Sequence, residues 1–367
     1  MDKYNSPNFN QDEGRFCHPD GDNHNKSAGD LFDFFSAYLT REIDEWERKG
    51  FPYIRRSRFE MASFKEDVMW VGHASILINH KNVTVLTDPQ FSDRASPFLS
   101  MGPRRVTPSP VKIDDLPDIN IIVISHNHYD HLDEASIRKL ARVQQRIKFL
   151  VPLGLKTVLE EWGVRNVMEL DWWEPLKIDG VKIQPTPVKH WSKRTFFDRN
   201  KTLWAGWMVQ WSDFAFYFAG DAGYSSDFKK TVKKLGKPDL AAIPIGAYEP
   251  RKFMKSAHIN PEEAVKVFTD LGAKYAIGIH WGTFKLTLEP MSEPPIRLTK
   301  ALNAAGVDSK AFRTLKHGET WPDVLPNPDL KPSISTDTEY GFEVSLLENR
   351  LRLDVAMYES VKEDEII

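Results

Sequence analysis

Residues 121–133 read IIVISHNHYDHLD, and the fold follows from how this stretch changes character at its middle. Ile119, Ile121, Ile122, Val123 and Ile124 form an apolar, mostly β-branched run, the composition of a strand buried on both faces. At Ser125 the run stops, and His126, Asn127, His128, Tyr129, Asp130 and His131 follow at once. This places three imidazoles and a carboxylate on a loop at the C-terminal end of a buried strand, where open α/β sheets carry their chemistry. Asp133 is then expected to cap a helix over roughly 134–144, with Glu134 in its first turn.

The spacing has a chemical reason. His126 and His128 are two residues apart, so in extended backbone they point the same way and can share one ion. Asp130 and His131 lie past the turn and can serve a second ion nearby. Imidazole with carboxylate suits zinc or iron, and two such ions close together can hold a bridging hydroxide. The plainer reading is a polar loop with solvated histidines.

Composition narrows the class. The 367 residues allow one large two-sheet domain with extensions, and 41% hydrophobic residues suffice for its core. A net charge of −3 gives no global basic field to attract nucleic acid. One cysteine, Cys17, excludes an internal disulfide framework and fits a reducing compartment. No run of 18 apolar residues exists, the first residues lack an apolar secretory core, and Asp2 rules out myristoylation.

Residues 1–29 are polar and read as lacking fixed structure. Leu31, Phe32, Phe34, Phe35, Tyr38, Leu39, Ile43 and Trp46 then recur at helical spacing, with Asp30 as the expected cap. That helix either docks on the core or lies on a lipid surface, though its acids outnumber its bases, against the second reading. Strands are expected over 68–71, 75–79 and 83–87, with a turn at 79–82. His73 and Asp88 stand at strand ends, as buried hydrogen-bonding groups or as supports for metal ligands. The long loop 90–110 mixes Phe91, Phe98, Leu99 and Met101 with Arg104 and Arg105; it either covers a core edge or meets an anionic lipid surface. Further strands are expected over 148–152, 166–170, 181–187, 204–211, 214–219, 240–244 and 275–279. Helices are expected over 155–162 and 261–271. Three more donors stand at strand ends: His190, Asp221 and His280. His126, His128 and His190 would hold one ion, Asp130, His131 and His280 the other, with Asp221 between them.

A strand, HxHxDH, a distant His, Asp in a Gly-Asp turn and a last His together resemble the metallo-β-lactamase superfamily. The segments VGHAS, LTDPQFSDRASP, MGPRR, ISHNHYDHLD, VPLGL, ELDWWE, AGDAGY, AIPIGAYEPR and IHWGTF are similar, within it, to the phospholipase D family that hydrolyses N-acyl-phosphatidylethanolamines. The likeness spans about residues 68–318. It implies an α/β fold, the αββα sandwich of two mixed β-sheets flanked by helices, over residues 61–325. Residues 1–60 would form an extension with one amphipathic helix, and 326–367 a tail. It also implies two zinc ions per chain, a homodimer, an intracellular and peripheral membrane-associated location, and a phospholipid substrate rather than nucleic acid.

Carried over position by position, the ligands are His126, His128, Asp130, His131, His190, Asp221 and His280. Tyr129 and His258 match substrate-contacting positions, and the catalytic set is Asp130, Asp221 and His258. Ala257 stands where the family has a polar amide, Leu99 and Ser100 replace a Gln-Tyr pair, and Lys193 fits a bile-acid contact while Phe197 and Lys285 differ. The implied reaction is in-line attack of a metal-bridging hydroxide on phosphorus, giving N-acylethanolamine and phosphatidic acid. Alternatives are another dinuclear hydrolase (lactonase, thioesterase or nucleic-acid phosphodiesterase) and a non-catalytic, metal-containing lipid-binding protein.

Overall fold

The computed structural model describes residues 4–21, 26–98, 100–326, 334–346 and 351–363. Leu99 and parts of the expected tail lie outside them. The chain divides into two compact units, residues 1–325 and 326–367.

Within the first unit, six strands form one mixed sheet: β1 (Asp67–Gly72), β2 (Ser75–His80), β3 (Val83–Thr87), β4 (Ile121–Val123), β5 (Lys148–Pro152) and β6 (Val167–Leu170), in that order across the sheet. β1–β3 are antiparallel and β3–β6 parallel. The β2–β3 turn carries Lys81 and Asn82 at φ 50° and 59°, the left-handed pair that a two-residue hairpin needs.

The alternation along these strands explains the unbroken apolar runs. Val68, Trp70, Ile76, Ile78, Val85, Ile121 and Val123 belong to one core cluster, which contains the second sheet. Met69, Val71, Leu77, Leu86, Ile122 and Ile124 belong to another. Ile137 and Leu140 of α2 (Glu134–Val143) and Leu159 of α3 (Lys156–Glu161) lie in that second cluster. Both faces are covered, so neither can be polar.

The second mixed sheet contains β7 (Leu176–Ile178), β8 (Val181–Thr186), β9 (Gly206–Gln210), β10 (Ala215–Phe218), β11 (Leu240–Pro244), β12 (Tyr275–Ile279) and β13 (Phe312–Arg313), in reverse order across the sheet. Helices α4 (Asp227–Leu235), α5 (Pro261–Leu271) and α6 (Glu293–Ala305) contribute Phe228, Phe268 and Leu298 to its core. This is the expected sandwich: helix layer, sheet, sheet, helix layer.

Several local expectations need correction. Residues 4–21 are not structureless: Phe9–Asn10 and Arg15–Phe16 pair as a small sheet, and Phe9 and Phe16 are buried in the core. The helix after them spans Ala28–Thr40; its cap is Ser27, with Asp30 completing a capping box, and it buries no residue. The apolar stripe does not continue as one helix, because Asp44 caps a separate short helix, Glu45–Lys49. Asp133 holds the N-cap position of α2, its carbonyl accepting from Ile137 N at 2.9 Å, but its side chain makes no capping bond; its Oδ2 accepts instead from Ser92 N at 3.1 Å.

The second unit is described by its backbone alone. Ile334–Leu346 and Leu351–Glu363 form an antiparallel ribbon, registered Ile334 to Glu363 through Leu346 to Leu351.

Candidate metal centre

The donor-bearing segments all follow C-terminal strand ends. His126 to His131 follow β4, His190 follows β8, Asp221 follows β10 and His280 follows β12. Two sheets thus present four loops to one place. The turn before Asp221 requires glycine: Gly220 has φ 59°, and a Cβ there would lie 2.7 Å from Ser125 Cβ.

Seven separated side chains converge. His128 Nδ1 lies 2.7 Å from His126 Nε2 and 3.3 Å from His190 Nε2. His280 Nε2 lies 3.2 Å from His131 Nε2 and 3.3 Å from Asp130 Oδ2. Asp221 stands between the groups: Oδ1 is 3.1 Å from His280 Nε2, and Oδ2 is 3.2 Å from His131 Nε2 and 3.9 Å from His126 Nε2. His126, His128, His190 and Asp221 form one four-donor group able to hold a cation; Asp130, His131 and His280, with His73, form another.

The outward-facing ring nitrogens settle which way the lone pairs face. His190 Nδ1 donates to the Ala257 carbonyl at 3.0 Å, and His131 Nδ1 to Asp88 Oδ2 at 2.7 Å. Ser125 Oγ donates to Asp88 Oδ2 at 2.5 Å and so accepts from His126 Nδ1 at 2.8 Å. In the neutral form of each ring the protonated Nδ1 leaves an Nε2 lone pair turned into the cluster, as a cation requires. Asp221 Oδ1 and His258 Nδ1 are buried with no hydrogen-bond partner. Unpaired acceptors facing acceptors are costly unless positive charge sits between them. The donor set fits a pair of zinc or iron ions.

A family model described as a β-lactamase superfamily domain matches residues 83–281. The chain is 43% identical, over 69% of its own length and 74% of the other's, to N-acyl-phosphatidylethanolamine-hydrolysing phospholipase D 1 of Caenorhabditis elegans. The chain belongs to this phospholipase D family of the metallo-β-lactamase superfamily. The mitochondrial relative of Saccharomyces cerevisiae is 36% identical over 66% of this chain, which spans 53% of that protein. A crystal structure of a possible metal-dependent hydrolase from Veillonella parvula DSM 2008 shares the fold at a TM-score of 0.58 and 19% identity, over 70% of this chain and 98% of that one.

Electrostatics in this metallo-hydrolase site follow from burial and from the two carboxylates. Burial pushes His126 well below its ordinary value, and His128 and His258 down to about 4, so all three are neutral imidazoles at pH 7. Burial also opposes charge on His131 and His280. There Asp221 and Asp130 outweigh it, holding His131 well above its usual value and His280 up at about 9. The carboxylates favour positive charge at the nitrogens that face them, a place a proton or a metal cation can fill.

His258 faces the same space, its Nδ1 3.9 Å from Asp221 Oδ2. Tyr129 stands at the rim, its hydroxyl donating to the Arg194 carbonyl at 3.0 Å. It borders a groove of about 670 Å³ lined also by Phe91, Phe98, Arg138 and Arg194. The sequence reading missed Arg194. Its guanidinium donates to the Leu132 carbonyl at 2.7 Å and the Asn127 carbonyl at 3.1 Å, and stacks on Tyr129 at 4.1 Å, pinning the motif loop from outside. Nothing in local sequence marks it. Lys285 is buried, its Nζ donating to the Glu289 carbonyl.

Proposed function

We propose that the protein hydrolyses N-acyl-phosphatidylethanolamine as a phospholipase D, using two zinc ions and releasing N-acylethanolamine and phosphatidic acid. The observation that carries this reading is the convergence of seven donors, from four loops, with the Nε2 atoms of His126, His131 and His190 turned inward by the bonds their Nδ1 atoms make. Two zinc ions held there would supply Lewis acidity and bring a water's pKa down to about 7.

The chain's own groups do the rest. Asp221 lies between the two donor groups and sets their separation. His258, neutral and unpaired at Nδ1, orients the phosphodiester; its Nδ1 lone pair can take the proton that water gives up on forming hydroxide and hand it to the departing alkoxide. Tyr129, held by Arg194, borders the groove that would take the head group. The arrangement requires no serine or cysteine nucleophile.

Support for a lipid surface as the place of work comes from outside the centre. Phe196 and Phe197, on the loop after His190, are 89% and 85% exposed beside Lys193, and Phe32, Leu39, Phe98 and Met101 are exposed as well. Adjacent exposed aromatics next to cations suit an anionic lipid surface. No helix among the described residues is long and apolar enough to cross a membrane.

The test is lipid analysis after incubation of purified protein with N-acyl-phosphatidylethanolamine in labelled water. The expected result is ¹⁸O in phosphatidic acid; label in the ethanolamide, or no turnover, overturns the reading. Replacing Phe196 and Phe197 together by Ala should weaken vesicle binding about 100-fold, the loss of two aromatic side chains' burial at the low end of its range, with bound zinc unchanged.

A further inference from the structure

His73 lies outside the carried-over ligand set, yet its ring enters the centre. Its Nε2 lies 3.1 Å from Asp130 Oδ2, the oxygen that also faces His131 and His280. The ring packs between His280, at 4.1 Å, and Phe284, at 5.3 Å and 81°. The backbone that aims it is strained, with φ 52° in a non-glycine residue.

Three main-chain bonds hold that strain. His73 N donates to Thr283 Oγ1 at 2.7 Å, and the His73 carbonyl accepts from His280 N at 2.9 Å and from Trp70 Nε1 at 3.0 Å. Thr283 Oγ1 is fixed in turn by His317 Nε2 at 2.8 Å. Gly72 makes room for His317, whose ring a Cβ would meet at 2.7 Å. A conformation so heavily determined is the mark of a functional constraint rather than of a turn.

We propose that His73 is the positioning residue of the Asp130–His131–His280 subsite. Its Nε2–H donates to Asp130 Oδ2 and orients that carboxylate toward the ion, while the His126–His128–His190 subsite does without it. A carboxylate oxygen has lone pairs enough for one ion and one hydrogen bond. Partners of this kind are worth 10–100-fold in metal affinity. The proposal rests on the dinuclear reading above, and it requires that only one of the two ions depend on His73.

The test is a zinc titration against a chromophoric chelator, with thermal melting of the chelated proteins beside it. Asn tolerates left-handed backbone, but its amide nitrogen is one bond too short to reach Asp130; the Gln amide nitrogen is as many bonds from the backbone as the imidazole Nε2. His73→Asn should weaken one of the two zinc ions by about 10–100-fold and leave the other's constant unchanged. His73→Gln should restore the weakened ion. The chelated proteins should melt together. The proposal is overturned if His73→Asn holds both ions as the wild type does, if both weaken equally, or if Gln fails to restore the second. Wild-type protein that binds fewer than two zinc ions overturns the dinuclear reading and this proposal together; two ions with an indifferent His73→Asn overturn this one alone.

Discussion

Buried histidines meet carboxylates in two kinds of place in this molecule. At the periphery, His18 Nε2 donates to Asp227 Oδ2 at 2.8 Å while its Nδ1 accepts from Asp20 N at 3.2 Å. His80 likewise has Glu66 Oε2 at 2.5 Å from Nδ1 and Asp213 Oδ1 at 2.9 Å from Nε2. Every ring nitrogen of these two residues has a hydrogen-bond partner. At the centre, imidazole nitrogens face one another at 2.7 Å and 3.2 Å, and His128 Nε2, Asp221 Oδ1, His258 Nδ1 and His280 Nδ1 have no hydrogen-bond partner. His18, Asp20 and Asp227 are close enough together to hold a cation, as the central groups are. Proximity therefore does not separate a metal site from a structural tie; the direction of the unshared lone pairs does.

That contrast can be broken at its strong end first. Asp130→Asn or Asp221→Asn removes charge from the centre and should lower turnover on the order of 10³-fold, the loss of several kcal/mol of charge stabilisation, with bound zinc measured in the same samples. His18→Ala should leave turnover per folded molecule unchanged. If it abolishes activity while the protein stays folded, the distinction between the two regions fails.

Chelation should separate them next. An ion held at a concentration about a thousandfold above its dissociation constant stabilises by about 4 kcal/mol, so stripping it should lower Tm by roughly 10 °C. His18→Ala, read by calorimetry, should retain that chelator-dependent shift in full.

The peripheral tie has its own signature. Leaving Asp227 buried without His18 should cost about 3 kcal/mol, read from the urea midpoint. Burial pushes Asp227 up, but the hydrogen bonds from His18 and Ser225 outweigh it and hold the group at about 2, below the ordinary 3.8. A depressed carboxylate stabilises the fold above its ordinary value and loses that contribution as pH falls through about 2. Urea midpoints of the wild type should therefore drop more steeply on acidification than those of His18→Ala.

The smallest effect lies at Asp67, which burial pushes up to about 6. A raised carboxyl favours the fold while protonated, so its contribution is whole below the ordinary 3.8 and is lost as pH rises through about 6. Asp67→Asn should gain on the wild type across that window by a few degrees in Tm at most, about what 1 kcal/mol produces.

The first donor cluster was legible because a strand buried on both faces ends abruptly in polar residues. His190, Asp221 and His280 were legible only as polar groups closing apolar runs, and their meeting depends on two sheets that no local pattern joins. The supports were legible only in part: Asp88 stands out as a strand-end carboxylate able to back a ligand, but its partners do not, and Arg194 does not stand out at all. Asp88 reaches Ser125 across 37 residues, and Arg194 reaches Asn127 across 67. Of the elements, α4 went unread because DFKKTVKKL offers few apolar positions, and α6 because EPPIRL places two prolines where a loop is expected. Proline in a helix's first turn costs nothing, since the amide it lacks has no partner there. The helix over Ala28–Thr40 was read too long because an apolar stripe carries no sign of where Asp44 will start a new helix.

Each donor group draws on both sheets: His126 and His128 follow β4 while His190 follows β8, and Asp130 and His131 follow β4 while His280 follows β12. An ion in either group is thus a clasp across the layers of the sandwich as well as a reagent. Loading the protein should quiet the breathing of one layer against the other. Amide hydrogens near the ends of β4 and β12 would then exchange in step with the cation's residence time, and cation supply would govern how long each folded molecule survives proteolysis.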